Sequence, residues 1–187
     1  STAGRMRNLF FPPSVATAVF GRRKKAFVEA YIERHLRHGP MHFTLLDPDR
    51  QSPAEAGEVA RGAAEAGSHA IMVGGSTPDS MDQLDKTVRA IKKASGLPVI
   101  LFPGGSAQLS PSADAIWFMS LLNSRSRDYL IGEQVRGAPY IHKLGLEAIP
   151  MGYIVVEPGG AAGRVGQADL VKRDDVDTAI AYALAAQ

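Results

Sequence analysis

The sequence predicts an α/β protein, a TIM-like (β/α)8 barrel of which about five βα units are present in this chain. Short apolar runs alternate with helix-length amphipathic segments, the pattern of parallel strands joined by right-handed crossovers. The runs are continuously apolar, as a sheet covered on both faces requires. Asp47, Ser76, Asn123 and Glu157 each fall at or just past the end of a run. In a barrel the C-terminal strand ends form the mouth of the active site, whereas an open doubly wound sheet gathers its ligands at one crevice. The spread of polar residues over several strand ends therefore favours the barrel.

Taken in order, Ala26 to His38 reads as a helix, with Phe27, Ala30, Tyr31 and Leu36 at helical spacing. His42 to Leu46 reads as the first strand, closed by Asp47-Pro48-Asp49. Ser52, Pro53 and Glu55 form a capping box that opens a helix running to Gly67. Ala70 to Val73 is the second strand, ending in Gly74-Gly75-Ser76, and a helix follows from about Ser80 to Ser95, stopped by Gly96. Val99 to Phe102 and Ala115 to Met119 are the third and fourth strands. A helix from about Asp128 to Leu144 comes next, then a fifth strand at Tyr153 to Val156 and a last helix from about Asp174 to Ala186. The glycines at 159, 160, 163 and 166 read as a lid or a plain loop. They match neither a dinucleotide fingerprint nor a Walker loop.

With 187 residues, 45% of them hydrophobic, the chain suffices for one domain, residues 1–187, with a core of its own. A complete barrel typically takes about 250 residues, so the C-terminal strands are expected to be missing. Such an open sheet is expected to expose Ile71, Leu101 and Val155 and to associate with a second chain. The net charge of +2 is too small to argue for nucleic acid. The absence of Cys removes disulfides and thiolate chemistry and suits a cytoplasmic location. No apolar run is long enough to span a bilayer. Residues 8–25 mix Leu9, Phe10, Phe11 and Phe20 with Arg22, Arg23, Lys24 and Lys25. They read either as a peripheral membrane contact or as an arm packed on the barrel.

Two turns carry candidate chemistry. Pro48 biases Asp47 toward an extended conformation, which aims its carboxylate from the strand end into the mouth. A hard cation such as Mg²⁺ takes one or two carboxylates together with phosphate oxygens and waters. Asp49 reads as a turn-ordering residue. After the second strand, Gly74 and Gly75 let backbone amides approach an anion, and Ser76 offers a hydroxyl to a metal or phosphate. The alternative for that segment is a tight turn. The five histidines show no metal-ligand spacing, and no nucleophile elbow is present.

Five strings, LLDPD (45–49), HAIMVGGS (69–76), PVILFPG (98–104), ADAIWFMSLLNSR (113–125) and IPMGYIVVEPGG (149–160), together resemble the geranylgeranylglyceryl phosphate synthase family, in its order and spacing. The resemblance covers roughly residues 25 to 187. It implies a barrel enzyme that joins sn-glycerol 1-phosphate to geranylgeranyl diphosphate by an ether bond and releases diphosphate, an early step of archaeal-type membrane lipid synthesis. It also implies a homo-oligomer, Mg²⁺ as cofactor, and Asp47 with Ser76 as its ligands. A polyprenyl tail needs an apolar groove, for which Phe102, Trp117, Phe118 and Met119 are candidates, although core packing is the commoner role of such residues. The family grips glycerol phosphate with loops after strands six to eight, which this sequence does not contain. Leu45 stands where some relatives carry a lysine, and no catalytic base is assigned. The competing readings are a non-catalytic fragment of a barrel and another phosphate-handling barrel enzyme.

Overall fold

The computed structural model describes residues 26–74 and 81–186. Helix α1 (Phe27–Leu36) leads into strand β1 (Phe43–Leu46). Helix α2 (Pro53–Glu65), strand β2 (Ala70–Val73), helix α3 (Met81–Ser95) and strand β3 (Val99–Leu101) follow. Strand β4 (Ala115–Leu121) is joined through a π-helical turn (Asp128–Gly132) to helix α4 (Glu133–Leu144). Strand β5 (Glu147–Tyr153), a short helix α5 (Gly160–Val165) and helix α6 (Val176–Ala185) complete the described chain. The five strands are all parallel and lie in the order β1-β2-β3-β4-β5. A doubly wound sheet would reverse that order at a switch point. Uninterrupted sequential order is the barrel's.

Successive strand residues point to opposite faces, and each face has its own core. Ile71, Val73, Val99, Leu101 and Ile116 point outward onto Ala56, Ala60, Leu84, Val88 and Ile91 of α2 and α3. Ala70, Ile100, Ala115, Trp117 and Ile149 point inward. This explains the continuously apolar strands, and it corrects one expectation. Ile71, Leu101 and Val155 are buried in this chain as it stands: the first two belong to the helix-covered layer rather than to the barrel interior, and Val155, past the end of β5, packs near Gly163. On α2, Gly57 permits a close helix crossing, since a Cβ there would lie 3.4 Å from the Ala90 carbonyl oxygen.

Ser52 and Glu55 form the expected capping box, with the Glu55 N–H donating to Ser52 Oγ and the Ser52 N–H to Glu55 Oε2. Gly67 follows α2 at a φ of 95°, a conformation that favours glycine. Three expectations are overturned. The fifth strand runs over Glu147–Tyr153 and pairs with the whole of β4. Pro150 and Gly152 interrupt its apolar run and displaced the reading toward 153–156. The glycine-rich segment is a short helix, with Gly163 buried against Leu170. On α1 the core residue is Val28, wholly buried, while Phe27 and Leu36 are exposed.

Val28 enters the inner layer beside Ala70, Ile100, Ala115, Trp117 and Ile149, so α1 plugs the end of the sheet opposite the mouth. No residue of α1 itself caps its N-terminus. The carboxylate of Glu147, at the start of β5, accepts from the Val28 N–H (2.8 Å) and the Glu29 N–H (2.7 Å) instead. It satisfies two orphan donors at the positive end of the helix dipole. Glu147→Ala is expected to lower the unfolding free energy by about 1–2 kcal/mol. Glu147→Gln, which keeps an acceptor, is expected to lose less. Urea denaturation of the two variants checks this.

Candidate active site at the strand C-termini

Asp47 follows β1 with φ −98° and ψ 115°, the extended conformation that Pro48 imposes. Its side chain is about two-thirds buried, and Oδ2 lies 3.3 Å from Arg50 Nε on the same turn. Gly74 sits on the neighbouring strand end, its N–H bonded to the Leu46 carbonyl. A Cβ at Gly74 would lie 3.1 Å from the Leu45 side chain and 3.4 Å from Asp47 Oδ1. Glycine there leaves open the space beside the carboxylate. Ser76 lies outside the described residues. Asn123 is buried and serves structure: its side-chain amide donates to the Val155 and Asp169 carbonyls and its Oδ1 accepts from the Val155 N–H. Glu157 lies beyond the end of β5 and is exposed.

Asp47 opens onto a groove of about 470 Å³. It is lined by Gly74 and Tyr153 and, from the inner layer, by Phe102, Trp117 and Met119. The Phe102 and Tyr153 rings meet edge to face, 5.8 Å apart. The Trp117 indole N–H donates to Met72 Sδ, and its ring stacks on Phe43. Leu109, Ile116, Phe118 and Ile141, of the outer layer, line it as well. All four apolar candidates from the sequence, Phe102, Trp117, Phe118 and Met119, line this one groove.

The groove exists because residues 102–114, between β3 and β4, form no helix. Where a crossover helix would seal the outer face of the sheet, a loop and α4 leave a cleft. The loop is held by side chains instead. Gln108 Oε1 accepts from the Gly104 N–H, and Glu133 Oε2 accepts from the Ser106 N–H, both at 2.5 Å. On its other flank Asp85 accepts from the Ser110 hydroxyl at 2.6 Å and pairs with Arg89. The π-helical turn is tied down as well, the Leu130 carbonyl accepting from Ser120 Oγ and Gln134 Nε2. This sets Tyr129 into the groove wall. Glu133, Gln134 and Tyr129 carry no motif and sequence reasoning did not find them, and Tyr153 was read only as the start of a strand.

Among the described lining residues only Asp47 and Glu133 carry charge. No group of three or more His, Asp or Glu side chains among the described residues is placed to hold a metal. The donor set at the mouth is a single carboxylate beside an open glycine. It fits a hard cation that completes its shell with phosphate oxygens and water, and does not fit zinc.

The sequence profile of the PcrB family matches residues 32–187. The chain belongs to the PcrB family. It is 58% identical over 147 residues to the geranylgeranylglyceryl phosphate synthase of Methanothrix thermoacetophila, covering 79% of this chain and 58% of that protein. It is 51% identical over 160 residues to the enzyme of the same name from Methanothermobacter thermautotrophicus, covering 86% and 65%. The crystal structure of (S)-3-O-geranylgeranylglyceryl phosphate synthase from Thermoplasma acidophilum in complex with its substrate sn-glycerol-1-phosphate superposes with a TM-score of 0.81 at 48% identity, covering 86% of this chain and 65% of that one. The chain thus spans about six-tenths of the length of these PcrB-family relatives. The likeness settles the fold as five βα units of a TIM-like barrel.

Burial pushes the Asp85 and Glu133 carboxyls up. Hydrogen bonds from Ser110, Ser112 and Arg89 to Asp85, and from Arg136 and Ser106 to Glu133, outweigh it and hold both below their ordinary values. A carboxylate with a lowered native pKa contributes stability that is complete above the unfolded value of about 4 and is lost as pH falls through the native value. The melting temperature is therefore expected to fall steeply below about pH 4. Asp85→Asn is expected to start lower and show a flatter acid limb, measured by circular dichroism melts across pH.

Proposed function

We propose that the protein joins sn-glycerol 1-phosphate to geranylgeranyl diphosphate through an ether bond, as the names of its PcrB-family relatives describe for them. The observation that carries the reading is an apolar groove opening onto one carboxylate, Asp47, at the mouth of the barrel. Burial of a hydrocarbon chain is worth about 0.8 kcal/mol per CH₂. A C20 tail therefore supplies most of the binding energy, and the polar end needs few contacts.

Mg²⁺ suits the site, and Asp47 with Ser76 would hold it; when bound, the ion supplies charge neutralisation at the diphosphate oxygens. The chain's own residues do the positioning. Phe102, Trp117, Phe118 and Met119 take the tail and exclude water from it, which fixes the allylic carbon toward the mouth. The glycerol hydroxyl oxygen bonds to that carbon as the bond from carbon to diphosphate oxygen breaks, releasing diphosphate and a proton. Gly74 leaves room beside the Asp47 carboxylate.

The fit extends to surroundings. A cytoplasmic location is part of this reading; no helix among the described residues is long and apolar enough to cross a membrane. The proposed membrane-contacting segment, 8–25, lies outside the described residues. Exposed Val135 and Tyr140 on α4 and Val176, Ile180 and Leu184 on α6 supply apolar surface for a homo-oligomer.

Asp47→Asn, made in the protein as it occurs in its host, is expected to lower prenyl transfer by about 100-fold or more while leaving circular dichroism unchanged. Ser76→Ala is expected to be milder, because a water replaces a neutral hydroxyl. A radiolabelled transfer assay reads both, and full activity of Asp47→Asn would refute the assignment. In one tube with farnesyl, geranylgeranyl and heptaprenyl diphosphates, the C20 chain is expected to be used first. A preference for the C35 chain would contradict this reading.

A further inference from the structure

A diphosphate brings concentrated negative charge, and the described groove lining meets it with two carboxylates and no basic side chain. Like charges repel, so positive charge has to come from beside the groove as well as from a bound ion. Each carboxylate has an arginine next to it. Arg136 is committed elsewhere, because it pairs both with Glu133 and with Asp128 of the π-helical turn. Arg50 is held loosely. Its Nε lies 3.3 Å from Asp47 Oδ2, longer than the roughly 2.7–2.9 Å of a charge-assisted hydrogen bond. Its side chain is 82% exposed, and a guanidinium carries more N–H donors than one carboxylate takes. The backbone tethers it in place, the Arg50 N–H donating to the Asp47 carbonyl at 3.2 Å across the 3-10 turn Pro48–Arg50. The two oxygens of Asp47 also face different neighbours. A Cβ at Gly74 would lie 3.4 Å from Oδ1, so that oxygen borders the space the glycine leaves open, while Oδ2 faces Arg50.

We propose that Arg50 is a substrate-binding residue: its guanidinium pairs with Asp47 until a diphosphate arrives, then turns its donors onto the diphosphate oxygens. This rests on the reading of the site as one for diphosphate transfer. Oxygens that share one Mg²⁺ at about 2.1 Å lie about 3–4 Å apart. A diphosphate oxygen sharing an ion with Asp47 therefore comes within reach of the same guanidinium, whose planar fork matches two phosphate oxygens. The exchange places two opposite demands on one side chain. Without diphosphate, Arg50 competes with the ion for Asp47. With diphosphate, it helps to hold the ligand. A residue that merely ordered the turn would not pull the two affinities in opposite directions.

The protein as it occurs in its host is compared with Arg50→Ala and Arg50→Lys in three titrations. Mn²⁺ is followed by electron paramagnetic resonance without diphosphate, and inorganic diphosphate and sn-glycerol 1-phosphate by calorimetry in saturating Mg²⁺. Arg50→Ala is expected to bind Mn²⁺ about two- to fourfold more tightly, the scale of losing an exposed competing pair. It is expected to bind diphosphate about tenfold more weakly. Arg50→Lys keeps the charge without the fork and is expected to bind diphosphate about threefold more weakly than wild type. Affinity for sn-glycerol 1-phosphate is expected to stay within about twofold throughout. Unchanged diphosphate affinity in Arg50→Ala, or an Mn²⁺ affinity that fails to rise, overturns the proposal. A loss that falls on sn-glycerol 1-phosphate instead overturns the assignment to diphosphate. A wild-type protein that binds no diphosphate overturns the transfer reading and this proposal with it, whereas wild-type binding that Arg50→Ala leaves intact overturns this proposal alone.

Discussion

The constraint on which the rest depends is a crossover without a helix. Between β3 and β4 the chain returns across the sheet through residues 102–114 as irregular loop. The apolar outer face at Ile116 and Phe118 is therefore left to be covered by something else. A loop cannot satisfy its own backbone as a helix does, so the sequence spends Gln108, Glu133 and Asp85 on holding it. The groove and the Glu133 contact that holds its loop both follow from that one missing element.

The chemistry of the mouth follows from sparseness. A groove with one carboxylate near the strand ends is a low-dielectric surface on which a single charge acts strongly. The same sparseness means affinity comes from area and orientation from a few groups. Pro48 and Gly74 matter for this reason, the first by directing a backbone and the second by occupying no space. Neither touches a ligand through a polar atom of its side chain.

Much of this was legible in the sequence, and the exceptions have physical causes. The strand ends after β1 and β2 announced themselves because Asp-Pro-Asp and Gly-Gly-Ser are local signals, readable without the fold. The capping box at Ser52 was equally local. The inner and outer faces were not separable, since Ile71 and Met72 look alike in an unbroken apolar run. The fifth strand was misplaced because Pro150 and Gly152 contradict strand propensity and are accepted only through pairing with the whole of β4. Glu133 was invisible, because its significance depends on a loop 27 residues earlier in the chain. The buried role of Asn123 was hidden in the same way, being fixed by Val155 and Asp169.

The plug at the far end of the sheet has a consequence for how the protein is made. Helix α1 is the first described element to leave the ribosome, yet its N–H groups are capped by a residue 119 positions later. Closing so long a loop is slow, and its entropy must be met before the contact repays it. The inner layer that receives Val28 needs β5 in place as well. The first helix therefore waits, amphipathic and unsealed, through the synthesis of five strands. That interval is when a nascent chain of this design most needs a chaperone.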